Sequence, residues 1–177
     1  MGDSRNIYLV GLMGAGKTTV GKQLAHRLGK SFHDADHDIE KRTGVRVATI
    51  FEIEGEAGFR AREVEAIERL TEMENIVLAT GGGAVLDARN RERLAAHGYV
   101  IYLHGLPRDL WQRTRHDKSR PLLSGEDPLA KLKELYGVRD PLYREIADLV
   151  LDTGKQSVSS LMRQLLNQLP EACKLSA

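Results

Sequence analysis

The feature that most constrains this chain is the stretch RNIYLVGLMGAGKTTVGKQLAHRL, residues 5–28. A short apolar run, RNIYLV, reads as a buried strand and is followed at once by glycine. Residues 11–18, GLMGAGKT, fit the pattern G-x-x-x-x-G-K-[ST]. Val20, Leu24 and Leu28 then recur at helical spacing, and Gly29 is a stop signal. A strand, a glycine-rich turn and a helix in this order make a phosphate cradle. The glycines let backbone N–H groups point inward at phosphate oxygens. The helix N-terminus adds the positive end of its dipole. Gly14, Ala15, Gly16 and Thr19 are therefore candidate ATP-binding positions. Lys17 would reach the β- and γ-phosphates, and the hydroxyl of Thr18 would bind Mg²⁺.

The rest of the chain alternates strand and helix signals. Strand candidates follow at 30–34, 74–80, 98–105 and 147–153. Helices are expected over 55–73, 87–98, 107–116, 128–147 and 157–169, with an interruption near Gly137 and Pro141. The last eight residues, PEACKLSA, read as a loose tail over about 170–177. This alternation predicts an α/β fold of three layers, with a central five-stranded parallel sheet between helices. In such sheets ligands bind beyond the carboxyl ends of the strands. The candidate positions are then 11–18, 34–36, 80–83, 104–108 and 152–156.

A chain of 177 residues fits one domain, spanning 1–177. Its 26 basic and 25 acidic residues leave a formal net charge of only +1, too little to hold a nucleic acid or a membrane surface. Apolar runs such as YVIYL, 99–103, are too short to span a bilayer. The single cysteine, Cys173, excludes an intrachain disulfide and fits a reducing compartment. The opening MGDSRN has no signal pattern, so a cytoplasmic protein is expected.

The stretch FHDADHDIEKRTG, 32–44, packs Asp34, Asp36 and Asp38 between His33 and His37. By itself it could bind a metal, activate a substrate or form a solvated turn. Zinc is the weaker reading, because the acids are hard ligands and no cysteine is near; solvent-facing histidines are expected. The polar, Gly- and Pro-punctuated stretch HDKSRPLLSGEDP, 116–128, reads as a mobile segment between two helices. A phosphate cradle, a mobile segment and no N-K-x-D element together describe a small kinase with a second substrate.

Five further motifs narrow the second substrate. FHDADHDIEKRTG, GFR (58–60), ATGGG (79–83), RPLL (120–123) and RDPLY (139–143) stand in this order behind the phosphate loop. Together they closely resemble the single-domain shikimate kinases of bacteria, from about Asn6 to Leu169. The resemblance implies a P-loop kinase fold, a substrate-binding helical region over about 33–62 and a mobile lid over about 112–127. It implies transfer of the γ-phosphoryl of ATP to the 3-hydroxyl of shikimate, with one Mg²⁺. By resemblance, Asp34 lies on the metal side and Asp36 contacts the substrate hydroxyls, a catalytic position that could accept the proton of the attacking hydroxyl or mainly orient it. Arg60 and Arg139 match the carboxylate-binding arginines, Arg62 being a near neighbour that the GFR triplet disfavours. Gly81, Gly82 and Gly83 would approach the substrate with backbone amides. Arg120 of the lid would stabilise the transferring phosphoryl. Arg113 would stack on adenine, and Gln156 would contact the adenine region. Asp38 is read as a solvated acid in the first turn of a helix, and Trp111 as a packing residue. A monomer follows by the same analogy. A gluconate-type sugar-acid kinase is the alternative; it would share the phosphate loop but not the combination of DAD, GFR, GGG and RDPLY.

Overall fold

A computed structural model describes residues 5–116, 125 and 127–174. Five parallel strands form one sheet in the order β2-β3-β1-β4-β5. They are β1 (Asn6–Val10), β2 (Ser31–Asp34), β3 (Ile76–Ala79), β4 (Gly98–His104) and β5 (Leu149–Asp152). The central strands β1 and β3 are buried along their whole length, as expected when helices cover both faces. The outer strands β2 and β5 are short and partly exposed, which limits edge pairing with other chains.

The helices are α1 (Lys17–Leu28), α2 (Ala35–Thr43), α3 (Val47–Thr71), α4 (Ala88–His97), α5 (Pro107–Thr114), α6 (Pro128–Ile146), α7 (Val158–Gln168) and α8 (Glu171–Lys174). Helix α1 lies on β1, β2 and β3 and touches α7; α4 and α6 lie against β4 and each other. The three layers follow. Gly21 of α1 leaves room for Phe32, since a Cβ there would sit 2.5 Å from its ring. No helix among the described residues is long and apolar enough to cross a membrane.

Local signals act where the sequence places them. Gly29 ends α1 in the left-handed region at φ 65°, and Pro107 opens α5. Asp87 caps α4 by accepting from the Arg89 amide. Four expectations are corrected. The helix expected over 55–73 extends back to Val47, with a sharp break at Gly55 (φ 73°, ψ −179°). Helix α6 runs through Pro141 without interruption, because its apolar face, with Leu132, Leu135, Tyr143 and Ile146, is buried. Asp38 is not a solvated acid: Arg69 of α3 and Arg42 both pair with it. The tail is not loose throughout. Glu171–Lys174 form a helical turn, Cys173 is fully buried, and the Arg5 amide donates to the Ala172 carbonyl.

Candidate active site

The loops after β1, β2 and β3 open at the same end of the sheet. The phosphate loop leaves β1 with Gly11, Gly14 and Gly16 all at positive φ (150°, 83° and 94°). Gly14 cannot be replaced cheaply, because a Cβ there would meet the Thr114 methyl at 2.6 Å. Gly16 caps α1 without a side-chain hydrogen bond, so the first-turn amides stay unclaimed by any side chain of the cap. Ala15 is buried, and Thr18 and Thr19 are exposed at the mouth. The Lys17 ammonium folds over the loop and donates to the carbonyls of Gly11 and Leu12 at 2.6 and 2.9 Å.

Strand β2 delivers Asp34, which caps α2. Its Oδ1 accepts from the His37 amide at 3.1 Å, and its Oδ2 accepts from the Thr18 hydroxyl at 3.0 Å. The two residues predicted for the metal side are thus in direct contact. They offer only hard oxygen donors, which suit Mg²⁺ with several of its waters retained. Two residues further on, Asp36 stands in the first turn of α2 and faces the glycine loop instead. A Cβ on Gly81 would lie 2.9 Å from Asp36 Oδ1 and 2.8 Å from Glu63 Oε2. Of the two neighbouring histidines, His37 is exposed, but His33 is only half-exposed and its Nε2 is buried.

The arginines converge from two helices. Arg60 of α3 pairs with Glu63 at 2.9 Å and Glu56 at 3.2 Å, and its guanidinium lies against Gly83. Arg62 turns the other way into a two-point pair with Glu54, at 2.9 and 2.7 Å. Arg139 of α6 is 2 % exposed, and its Nη1 comes within 3.4 Å of where a Cβ on Gly82 would be. The same hypothetical Cβ would lie 3.5 Å from the Met13 amide nitrogen of the phosphate loop. One glycine therefore separates an arginine from the nucleotide loop.

Polar atoms are buried here without protein partners. Among the described residues the unpartnered buried side-chain atoms are His33 Nε2, Asp36 Oδ1, Arg60 Nε, Glu63 Oε2 and Arg139 Nη1. Four of these five surround Gly81–Gly83. Buried polar groups are normally satisfied, so a concentration of exceptions marks a place built for a ligand. Electrostatics agree. Burial, helped by the nearby charge of Asp34, pushes the Asp36 carboxyl up to about 6. Burial pushes Glu63 up to about 7 despite the pull of Arg60. Burial lowers the Arg139 guanidinium; Tyr143 opposes that shift and the charge of Arg60 adds to it. Two cationic forks held near each other are relieved by an anion placed between them.

At the other end of the loop, Arg113 is a clamp. It donates to the carbonyls of Thr153 (2.6 Å), Gly154 (2.9 Å) and Gly14 (3.3 Å), tying the loop after β5 to the phosphate loop. Arg113 is itself exposed. Gln156 lies in the same loop and donates to the Asp152 carbonyl at 2.8 Å. Trp111 packs against the core. Arg120 and the RPLL motif lie outside the described residues.

Two site residues escape sequence reasoning. Glu63 is one of many charges on α3, and nothing local separates it from Glu65 or Glu68. Its only signal is its place three residues after Arg60. Tyr143 stands inside RDPLY, four residues after Arg139, so it returns to the same helix face.

The profile of the shikimate kinase family matches residues 13–170. A shikimate kinase of Burkholderia lata is 60% identical over 164 residues, covering 93% of this chain and 89% of that protein. A solved shikimate kinase of Acinetobacter baumannii in complex with shikimate is 49% identical, with a TM-score of 0.90 and coverage of 94% and 96%. A solved gluconokinase of Sinorhizobium meliloti, at 19% identity and a TM-score of 0.59 over 94% and 92%, shares the fold alone. With five motifs in order, the phosphate loop and the arginine-lined glycine loop at one end of a parallel sheet, this chain belongs to the shikimate kinase family.

Proposed function

We propose that the chain transfers the γ-phosphoryl of ATP to the 3-hydroxyl of shikimate, with Asp36 facing that hydroxyl and Arg60 and Arg139 holding the carboxylate. The observation that carries this reading is the ring of buried, unpartnered polar atoms of both signs around Gly81–Gly83. Two arginine forks suit one carboxylate, and a buried carboxyl with a free oxygen suits a hydroxyl. Family membership supplies the acceptor that combines both.

The chemistry then follows from positions. Lys17 and the amides of residues 14–19 hold the β- and γ-phosphates. Gly81, Gly82 and Gly83 bring backbone close to the acceptor, where side chains would collide with Asp36, Glu63 and Arg60. A lone pair of the 3-oxygen forms the new bond to Pγ, and the hydroxyl proton passes to Asp36. The bond from Pγ to the bridging oxygen breaks, and ADP leaves with that electron pair. Mg²⁺, which Thr18 and Asp34 would hold, supplies charge neutralisation on the phosphate oxygens. Arg113 and Gln156 serve the adenine end. Arg120 is assigned the charge developing on the transferring group, as an arginine supplied in cis. The balanced charge and the lone Cys173 support a cytoplasmic protein acting on small molecules without nucleic acid; the monomer rests on resemblance.

The test is release of ADP from Mg-ATP with shikimate, with gluconate and with no acceptor. Stimulation by shikimate alone supports the reading. Stimulation by gluconate, or by neither, overturns it.

A further inference from the structure

Tyr143 is absent from the roles assigned so far, yet it touches both halves of the carboxylate receptor. It lies on α6, is 1 % exposed, and packs at a tilt of 37° against Tyr102 with ring centres 4.8 Å apart. Its hydroxyl donates to the Gly82 carbonyl in a short hydrogen bond. The same oxygen is the polar neighbour of the Arg139 guanidinium, one helical turn earlier. Because the hydroxyl proton is committed to a carbonyl, only lone pairs remain for Arg139. Donor and acceptor directions are therefore both determined at one buried atom. Burial raises the Tyr143 phenol well above its ordinary value, so it remains a donor at every working pH. The Tyr102 hydroxyl donates to Asp140 at 2.7 Å, which braces the ring from the other side.

We infer that Tyr143 is a positioning residue for acceptor recognition: its hydroxyl locks the Gly82 carbonyl and the Arg139 guanidinium into one unit, so that the arginine is aimed at the carboxylate. This rests on Arg139 reading the carboxylate, as proposed above. The Arg139 Nη1 has no protein partner, so that arm of the fork is left open to a ligand while Tyr143 faces the guanidinium from the same helix. A buried arginine without a second anchor would sample several rotamers, and binding would have to order it.

The experiment is a cycle of four proteins: the parent, Tyr143→Phe, Arg139→Ala and the double variant. Phenylalanine keeps the ring against Tyr102 and removes only the hydroxyl. Tyr143→Phe should raise the KM for shikimate about 10-fold, as loss of one hydrogen bond at a charged group does, while kcat and the KM for ATP stay within about 3-fold. In the Arg139→Ala background the same change should add less than about 2-fold. Replacing Tyr143 by 4-aminophenylalanine restores a donor to the Gly82 carbonyl but offers Arg139 only a poor acceptor, so it should recover little of the lost affinity; full recovery would overturn the link to Arg139. An unchanged KM in Tyr143→Phe, or equal losses in both backgrounds, overturns the inference and leaves the Arg139 assignment standing. An unchanged KM in Arg139→Ala overturns that assignment, and the inference with it.

Discussion

Gly83 is the floor beneath Arg60: a Cβ at position 83 would come within 2.5 Å of the Arg60 guanidinium carbon. The backbone at Gly83 (φ −95°, ψ 4°) is open to any residue, so glycine is required here by the arginine and not by the chain. Gly83→Ala should therefore displace Arg60 with little loss of fold. The expected result is a 10- to 100-fold rise in the KM for shikimate, on the order of the ~1.5–3 kcal/mol carried by charged hydrogen bonds. The KM for ATP should hold. Steady-state kinetics with each substrate varied would check this, and an unchanged shikimate KM would show that Arg60 does not read the acceptor.

Asp36 has one buried oxygen with no protein partner and a carboxyl raised to about 6. If it receives the hydroxyl proton, Asp36→Asn keeps the shape and loses the acceptor. We expect kcat to fall by roughly 10²- to 10⁴-fold, the usual scale of general-base catalysis. ATP affinity, measured by calorimetry, should remain. Full turnover in the variant would remove Asp36 from the proton path.

Glu63 makes stability depend on pH in the direction opposite to that of a salt-bridged carboxylate. Burial raises its pKa from 4.5 to about 7, so between those values the folded protein keeps a proton that the unfolded chain has lost. Stability from this group is present below about 4.5 and is lost as pH rises toward about 7. The loss is at most about 3.5 kcal/mol at roughly 1.4 kcal/mol per pKa unit. Glu63→Gln removes this dependence. The melting temperature of the variant relative to the parent should climb between pH 5 and pH 7.5 (about the titration window). A difference that stays flat with pH would mean that Glu63 is ionised throughout.

Thr18 and Asp34 meet at 3.0 Å with hard oxygens on both sides. Thr18→Val keeps the branched shape and deletes the hydroxyl. Half-saturation by Mg²⁺ in the ADP-release assay should move up several-fold, by about 10-fold for a loss near 1.4 kcal/mol, with the KM for shikimate nearly constant. An unaltered Mg²⁺ requirement would exclude Thr18 from the metal side.

The phosphate loop is legible in the sequence because its chemistry is contiguous. Strand, glycines, Lys17, Thr18 and helix follow one another, and local backbone geometry builds the site. The opposite duties expected for Asp34 and Asp36 are also nearly local. The strand ends at Asp34 and α2 begins at Ala35, so two residues of spacing turn one carboxylate toward Thr18 and the other toward Gly81. Motif resemblance adds Arg60 and Arg139, although Arg62 shows how little separates an arginine that turns to the glycine loop from a surface one in the sequence alone.

What the chain by itself determined was thus the class of fold, the glycine-rich loop between β1 and α1, and the residue types that the proposed function turns toward the acceptor. The order β2-β3-β1-β4-β5 was decided by tertiary packing, because equivalent strand–helix units can be laid down beside β1 in more than one order. The same is true of Glu63 and Tyr143. Their importance comes from desolvation and from partners across the fold, Gly81 and Gly82, which no local pattern encodes. A carboxyl on a charged helix becomes a buried group with a raised pKa only when the loop after β3 brings Gly81 against it.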